Sequence, residues 1–148
     1  ASAWEAWKES TKKQLKNHEN KKAKILLVED DTIAQTISKK MLQQLGYIVD
    51  VASSGKKAIQ NVLEKKYDII FMDIGLPDKD GITVTKEILK SCKGNAPKIF
   101  GLTAHAFEHN RVECISAGMS SFITKPVSYE DFEKILSSSS IYVKDTSL

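Results

Sequence analysis

The chain alternates short, fully apolar runs with longer segments whose apolar residues recur every three or four positions. The runs are Ile25-Leu26-Leu27-Val28, Ile69-Ile70-Phe71-Met72 and Ile99-Phe100-Gly101-Leu102. An unbroken run of this length predicts a strand buried on both faces, as in a parallel sheet covered by helices. Tyr47 to Ala52 alternates and predicts a further strand, and Ser121 to Thr124 predicts a short last one. Helical segments lie between. Ile33, Ile37, Met41, Leu42 and Leu45 form one apolar stripe, opened by Asp31 or Thr32 as N-cap and closed by Gly46. Ser53-Ser54-Gly55 leads into a helix carrying Ala58, Ile59, Val62 and Leu63, and Ile82 to Leu89 predicts another that closes near Cys92. Phe107 to Ala117 predicts a fourth helix, with Val112 and Ile115 inward and Gly118 at its end. Ser128 caps a final helix whose apolar face is Phe132, Ile135 and Leu136. Five strands alternating with five helices imply right-handed crossovers and a parallel sheet with helices on both faces.

The central run ends on Asp73, and Gly75, Pro77 and Gly81 turn the chain just after it. In open α/β sheets, ligands bind at the edge formed by the carboxyl ends of the strands. Asp also caps turns, so Asp73 taken alone reads either way. Other strand ends carry chemistry too: Glu29-Asp30 after the first strand, Thr103 after the fourth and Lys125 after the fifth. A parallel sheet puts all of them on one edge. Independent capping accounts for each singly, but not readily for acids, a hydroxyl and a lysine together. Two like charges at ~4 Å repel by about 4 kcal/mol at an effective dielectric near 20, so Glu29, Asp30 and Asp73 together need a cation. Carboxylates without His or Cys select Mg2+ or a similar hard ion that keeps several waters. A carboxylate nucleophile with a metal, a lysine and a hydroxyl around it are the parts of phosphoryl transfer.

Composition changes this picture little. A chain of 148 residues, 41% hydrophobic and 28% charged, fits one soluble globular domain with a real core. No apolar run approaches the roughly 18 residues of a membrane span, and no apolar stretch follows a basic start as in a signal peptide. Cys92 and Cys114 lack metal-ligand spacing, so free thiols in the cytoplasm are expected. Charge is more informative. Residues 1–24 hold seven Lys against three Glu, which leaves −1 of the total +3 for the remainder. Such a tail can touch nucleic acid or membrane, but its composition favours a solvated linker. Trp4, Trp7, Thr11 and Leu15 lie at helical spacing, and the two indoles are expected to pack on something. The expected organisation is a basic polar linker over 1–23, partly helical, a domain over 24–137, and a polar tail over 138–148.

Four motifs now match a known family in order and in placement. They are Leu27-Val28-Glu29-Asp30-Asp31, the segment Met72-Asp73-Ile74-Gly75-Leu76-Pro77-Asp78-Lys79-Asp80-Gly81, Leu102-Thr103-Ala104, and Ile123-Thr124-Lys125-Pro126. With them, residues 24–137 resemble the receiver domain of two-component response regulators. The resemblance implies a (βα)5 doubly wound, five-stranded parallel sheet of flavodoxin-like order 2-1-3-4-5. It implies that Asp73 takes a phosphoryl group from a phosphohistidine, in a domain that catalyses its own aspartyl phosphorylation and dephosphorylation. It places Mg2+, or Mn2+ in its stead, on Asp30, Asp73 and the Gly75 carbonyl, with Glu29 reached through water. Thr103 and Lys125 would bind the phosphoryl group, Thr103 and Phe122 would form the switch, and Lys125-Pro126 would be a cis peptide. Ala104, Gly75 and His105 match positions that tune access and hydrolysis. Phe122 lacks a tyrosine hydroxyl, so its switch would be purely steric, and Gly75 has no side chain with which to hold a water. The wording of residues 72–78 and 101–107 looks most like receivers attached to hybrid sensor histidine kinases. The implied partners are a histidine kinase core or a histidine phosphotransfer protein, with no nucleic acid and no membrane contact by this segment, although a parent kinase can itself be anchored.

Other readings meet specific residues. A haloacid-dehalogenase-like phosphatase wants a second Asp two positions after the first, where Gly75 stands. A flavodoxin-like cofactor binder wants a Ser-, Thr- and Gly-rich loop where Glu29-Asp30-Asp31 stands. A degenerate docking module would have lost key side chains that are all present. A free-standing receiver acting by protein binding remains the alternative to a piece of a hybrid kinase.

Overall fold

A computed structural model describes residues 2–6, 23–92, 94–104 and 108–138, the side chains of 108–110 excepted. Strands β1 (Lys24–Val28), β2 (Ile48–Ala52), β3 (Ile69–Asp73), β4 (Lys98–Thr103) and β5 (Ser121–Thr124) alternate with helices α1 (Thr32–Gln44), α2 (Gly55–Glu64), α3 (Gly81–Ser91), α4 (Glu108–Ala117) and α5 (Tyr129–Ser137). The strands form one parallel sheet in the order β2-β1-β3-β4-β5. Every residue of β3 is buried, as its unbroken apolar run requires. Alternate side chains divide between two cores. Ile70 and Met72 join Val84, Ile88 and Cys114 on one face, whereas Ile69 and Phe71 join Leu42, Phe132 and Leu136 on the other.

The helix starts follow local chemistry. Asp31 caps α1 by accepting from the amides of Ile33 and Ala34, Ser54 caps α2 and Asp80 caps α3. Ser128 caps α5 in a reciprocal box with Asp131. Among the described residues, no helix is long and apolar enough to cross a membrane. Cys92 and Cys114 are both free.

Three helix faces differ from the expectation. In α4, Val112 and Ile115 are exposed at 58% and 50%, and Cys114 and Ala117 are the residues turned inward. In α1, Ile33 and Ile37 are exposed at 73% and 49%, while Ser38 and Leu42 are buried. In α2, Leu63 stands 70% exposed and Ala58 fills the inner face. Each helix turns only part of its apolar stripe to the sheet, and the residues beyond the line of contact stay in solvent. Trp4, expected to pack, is 63% exposed on a helical turn at residues 3–6. Trp7, Thr11 and Leu15 lie outside the described residues, as do His105 and Phe107.

Candidate functional site

Strand β3 delivers Asp73 to the carboxyl edge of the sheet, and a tight turn leaves it there. The Ile74 amide donates to the Leu102 carbonyl at 3.0 Å, and the Gly81 amide donates back to the Ile74 carbonyl at 2.8 Å. Gly81 is required in this turn, since a Cβ would come within 2.3 Å of the Asp73 carbonyl oxygen. Asp73 Oδ1 accepts from the Gly75 amide at 2.9 Å.

Beside it, β1 ends on Glu29 and Asp30. The carboxylates of Glu29, Asp30 and Asp73 offer oxygens that all lie within 4.8 Å of one another. Glu29 and Asp73 are buried, and Asp30 is exposed. Lys125 reaches over from the end of β5, its Nζ 2.8 Å from Glu29 Oε1 and 3.0 Å from Asp73 Oδ2. The Lys125 amide donates to the Thr103 carbonyl at 2.7 Å, which fixes the lysine to the end of β4. The Lys125–Pro126 peptide is cis. Thr103 is buried, one position past Leu102, the β4 partner of Asp73. Ala104 is exposed beside it. Phe122 is half-buried and pairs with Gly101. Around Gly75 there is room, for a Cβ would stand 3.8 Å from Asp73 Oδ1. The structure thus brings together Glu29, Asp30, Asp73, Lys125 and the Gly75 backbone, with Thr103 at the same edge.

One supporting residue escapes the sequence reading. Gln35, on the first turn of α1, donates its amide to the Glu29 carbonyl, and the Asp31 amide donates to Glu29 Oε2 at 3.3 Å. A polar residue among others on a helix carries no local signal of such a contact.

One lysine is shared by two buried acids, and the charges divide accordingly. Burial, and then the bond to Asp73, push the Glu29 carboxyl up to about 7. Burial also opposes ionisation of Asp73, but bonds from Glu29, Lys125 and the Gly75 amide outweigh it and hold that carboxyl below its usual range. Burial works against the Lys125 ammonium, yet its two carboxylate partners raise its pKa. Before a cation arrives, the pocket therefore tends to keep a proton on Glu29. Three oxygen-bearing acids with one excess negative charge suit a hard divalent ion such as Mg2+.

This has a consequence for stability. Glu29 moves from its ordinary 4.5 to about 7 on folding, so the folded state binds more protons between those values. Stability of the metal-free domain should then fall as pH rises through that window and level off above it. Asp73 acts in the opposite sense, but only below its ordinary 3.8. Thermal melts in chelator should give a higher midpoint at pH 5.5 than at pH 8, and Glu29→Gln should flatten the difference. The same slope in both proteins would exclude Glu29 as its source.

Comparison with known proteins agrees with the geometry. The chain is 34% identical over 146 residues to probable histidine kinase 1 of Oryza sativa subsp. indica, a match covering 78% of this chain and 15% of that kinase. The chain thus spans a small part of that relative. Among solved structures it is similar to the receiver domain of sensor histidine kinase PA1611 from Pseudomonas aeruginosa, whose active site cleft coordinates a magnesium ion. That similarity has 36% identity and a TM-score of 0.70, covering 78% of this chain and 95% of the other. It is also similar to the receiver domain of Saccharomyces cerevisiae Ssk1, crystallised with the histidine phosphotransfer protein Ypd1, at 27% identity and a TM-score of 0.72, covering 78% and 87%. The family model described as the response regulator receiver domain matches residues 25–137, and the chain belongs to that family.

Proposed function

We propose that this receiver domain accepts a phosphoryl group from a phosphohistidine onto Asp73 in the presence of Mg2+, then relays it or changes conformation. The observation that carries the reading is Lys125 Nζ seated on both Glu29 and Asp73, at 2.8 and 3.0 Å, where three carboxylates converge. In the transfer, an Asp73 oxygen bonds to phosphorus while the bond from phosphorus to the donor imidazole breaks, its electron pair returning to the ring nitrogen. Lys125 offsets charge on the transferring oxygens, and the Thr103 hydroxyl donates to one of them. Asp30, Asp73 and the Gly75 carbonyl would hold the ion, with Glu29 acting through water; Mn2+ fits the same donors. When bound, Mg2+ would add positive charge that offsets the charge on the transferring phosphoryl oxygens.

As Thr103 moves toward the phosphoryl group, Phe122 takes the space it leaves, a purely steric switch. Ala104 keeps the approach to Asp73 open, and Gly75 and His105 set the rate of hydrolysis. Incubation with acetyl phosphate and Mg2+ should add one phosphoryl group by intact mass. Amide exchange on the same sample should change most over residues 108–124. Uptake that survives chelation of the metal would sink the reading.

We read residues 1–23 as the linker from a kinase core, residues 138–148 as a polar tail, and the parent as a hybrid histidine kinase with this domain in the cytoplasm. A phosphotransfer partner must bring its imidazole in line with Asp73. The exposed Ile33 and Ile37 of α1, together with the loop after Pro126, offer it an apolar landing beside that edge. Ile33→Asp with Ile37→Asp should slow transfer from a histidine phosphotransfer protein at least about tenfold, as loss of two interface anchors does. Uptake from acetyl phosphate should stay unchanged. Equal slowing from both donors would place the damage in the site rather than in docking.

A further inference from the structure

We propose that Asp78 is a positioning residue for this pocket: its carboxylate fastens the β3–α3 loop, which carries the Gly75 carbonyl, to the N-terminus of α2. The inference rests on the function proposed above and adds a residue to it.

The loop's two ends are held by the backbone, through the amides of Ile74 and Gly81. Between them Leu76 is buried in the core, but the next three residues, Pro77, Asp78 and Lys79, are all exposed. Besides an exposed ion pair from Lys79 to Glu87, that stretch is tied down by a contact 23 residues away in sequence. Asp78 Oδ1 accepts from the Gly55 amide and Oδ2 from the Lys56 amide, each at 3.0 Å. The first amides of a helix have no partner within it, and they carry the positive end of its dipole. Ser54 accepts from Lys57, so Asp78 takes the two amides that Ser54 leaves. Both bonds hold the Asp78 carboxyl below its usual range.

The backbone there is shaped for this contact. A Cβ on Gly55 would stand 2.7 Å from Val84 Cγ2, 3.3 Å from Lys79 Cβ and 3.5 Å from Asp78 Oδ1. Only a residue without a side chain lets α2 start against both the loop and α3. The clip thus lies three residues past Gly75, on a short span whose far end is closed at Gly81. With it, the loop is held in one arrangement before any ion arrives. Without it, the ion must select that arrangement from others, and apparent affinity falls by the fraction of competent loop.

The test compares the wild type with Asp78→Ala and Asp78→Asn, the latter keeping the size and one acceptor oxygen should the former fold poorly. Mg2+ alone is titrated by calorimetry, phosphorylation by acetyl phosphate is followed against Mg2+ concentration, and amide exchange is measured without metal. Asp78→Ala should raise the Mg2+ midpoint at least about fivefold, a loop competent one time in five. The rate at saturating Mg2+ should stay within about twofold, because every reacting group remains and the ion restores the loop. Exchange should quicken at Gly55 and Lys56 and across residues 75–79, with Asp78→Asn intermediate. Quickening confined to Gly55 and Lys56, with an unchanged Mg2+ midpoint, would overturn the proposal and leave Asp78 a cap for α2 only. A wild type that binds no Mg2+ and takes no phosphoryl group would overturn the underlying function instead. Exchange over 75–79 would then still decide whether Asp78 holds the loop.

Discussion

Asp73→Asn is expected to abolish phosphoryl uptake while leaving the fold intact. The substitution keeps the size and shape of the side chain but replaces an anionic nucleophile with a neutral amide, which cannot form the acyl phosphate. Folding has little to lose. Lys125 retains Glu29 at 2.8 Å, and the Gly75 amide still finds a carbonyl oxygen. Removing one of the two buried acids also removes a like charge beside Glu29, whose carboxyl should drop toward its ordinary value. Intact mass after acetyl phosphate and Mg2+ checks the chemistry, and circular dichroism checks the fold. Persistent Mg2+-dependent uptake in this variant would move the phosphoacceptor elsewhere.

Phe71→Ala should have the largest effect on stability. Phe71 is fully buried in the middle of β3, with its ring centroid 4.9 Å from that of Phe132 in an edge-on arrangement and 5.5 Å from that of Phe100. Through these rings the central strand grips α5 and its neighbour β4 at once. Truncating a buried Phe to Ala costs about 3–5 kcal/mol, counting lost transfer energy and the cavity left behind. A domain of this size has only about 5–15 kcal/mol in total. The melting midpoint should therefore fall by roughly 12 °C or more, and the urea midpoint should fall with it. Phe71→Leu, which keeps most of the volume, should lose much less. A loss below about 1 kcal/mol for Phe71→Ala would show that the aromatic cluster is not where this core holds, against the usual cost of such a cavity.

Much of this molecule is legible along the chain. The run of residues 69–72 announces a strand buried on both faces, and its end at Asp73 announces a site, because both are statements about adjacent residues. The caps at Asp31 and Ser128 are legible for the same reason: each serves amides two or three positions on. Periodicity also places three kinds of chemical group, carboxylates, a hydroxyl and an ammonium, at strand ends, and parallel topology then puts them on one edge.

The tertiary structure decides what lies between elements. Periodicity says that α1 and α4 have apolar residues, but not which of them the sheet will accept. Close packing took Cys114 and Ala117 and left Val112 and Ile115 in solvent. Lys125 stands at a strand end on any reading, yet only the folded sheet shows it shared between Glu29 and Asp73, and that sharing sets which acid keeps the proton. Asp78 reads as one more acid in a turn, while its partners Gly55 and Lys56 belong to a helix 23 and 22 residues earlier. The physical division is one of range. Propensity, capping and burial preference act between residues a turn apart and leave their mark in the sequence. Side-chain packing and charge sharing act between residues that only chain closure brings together, and no local pattern records them.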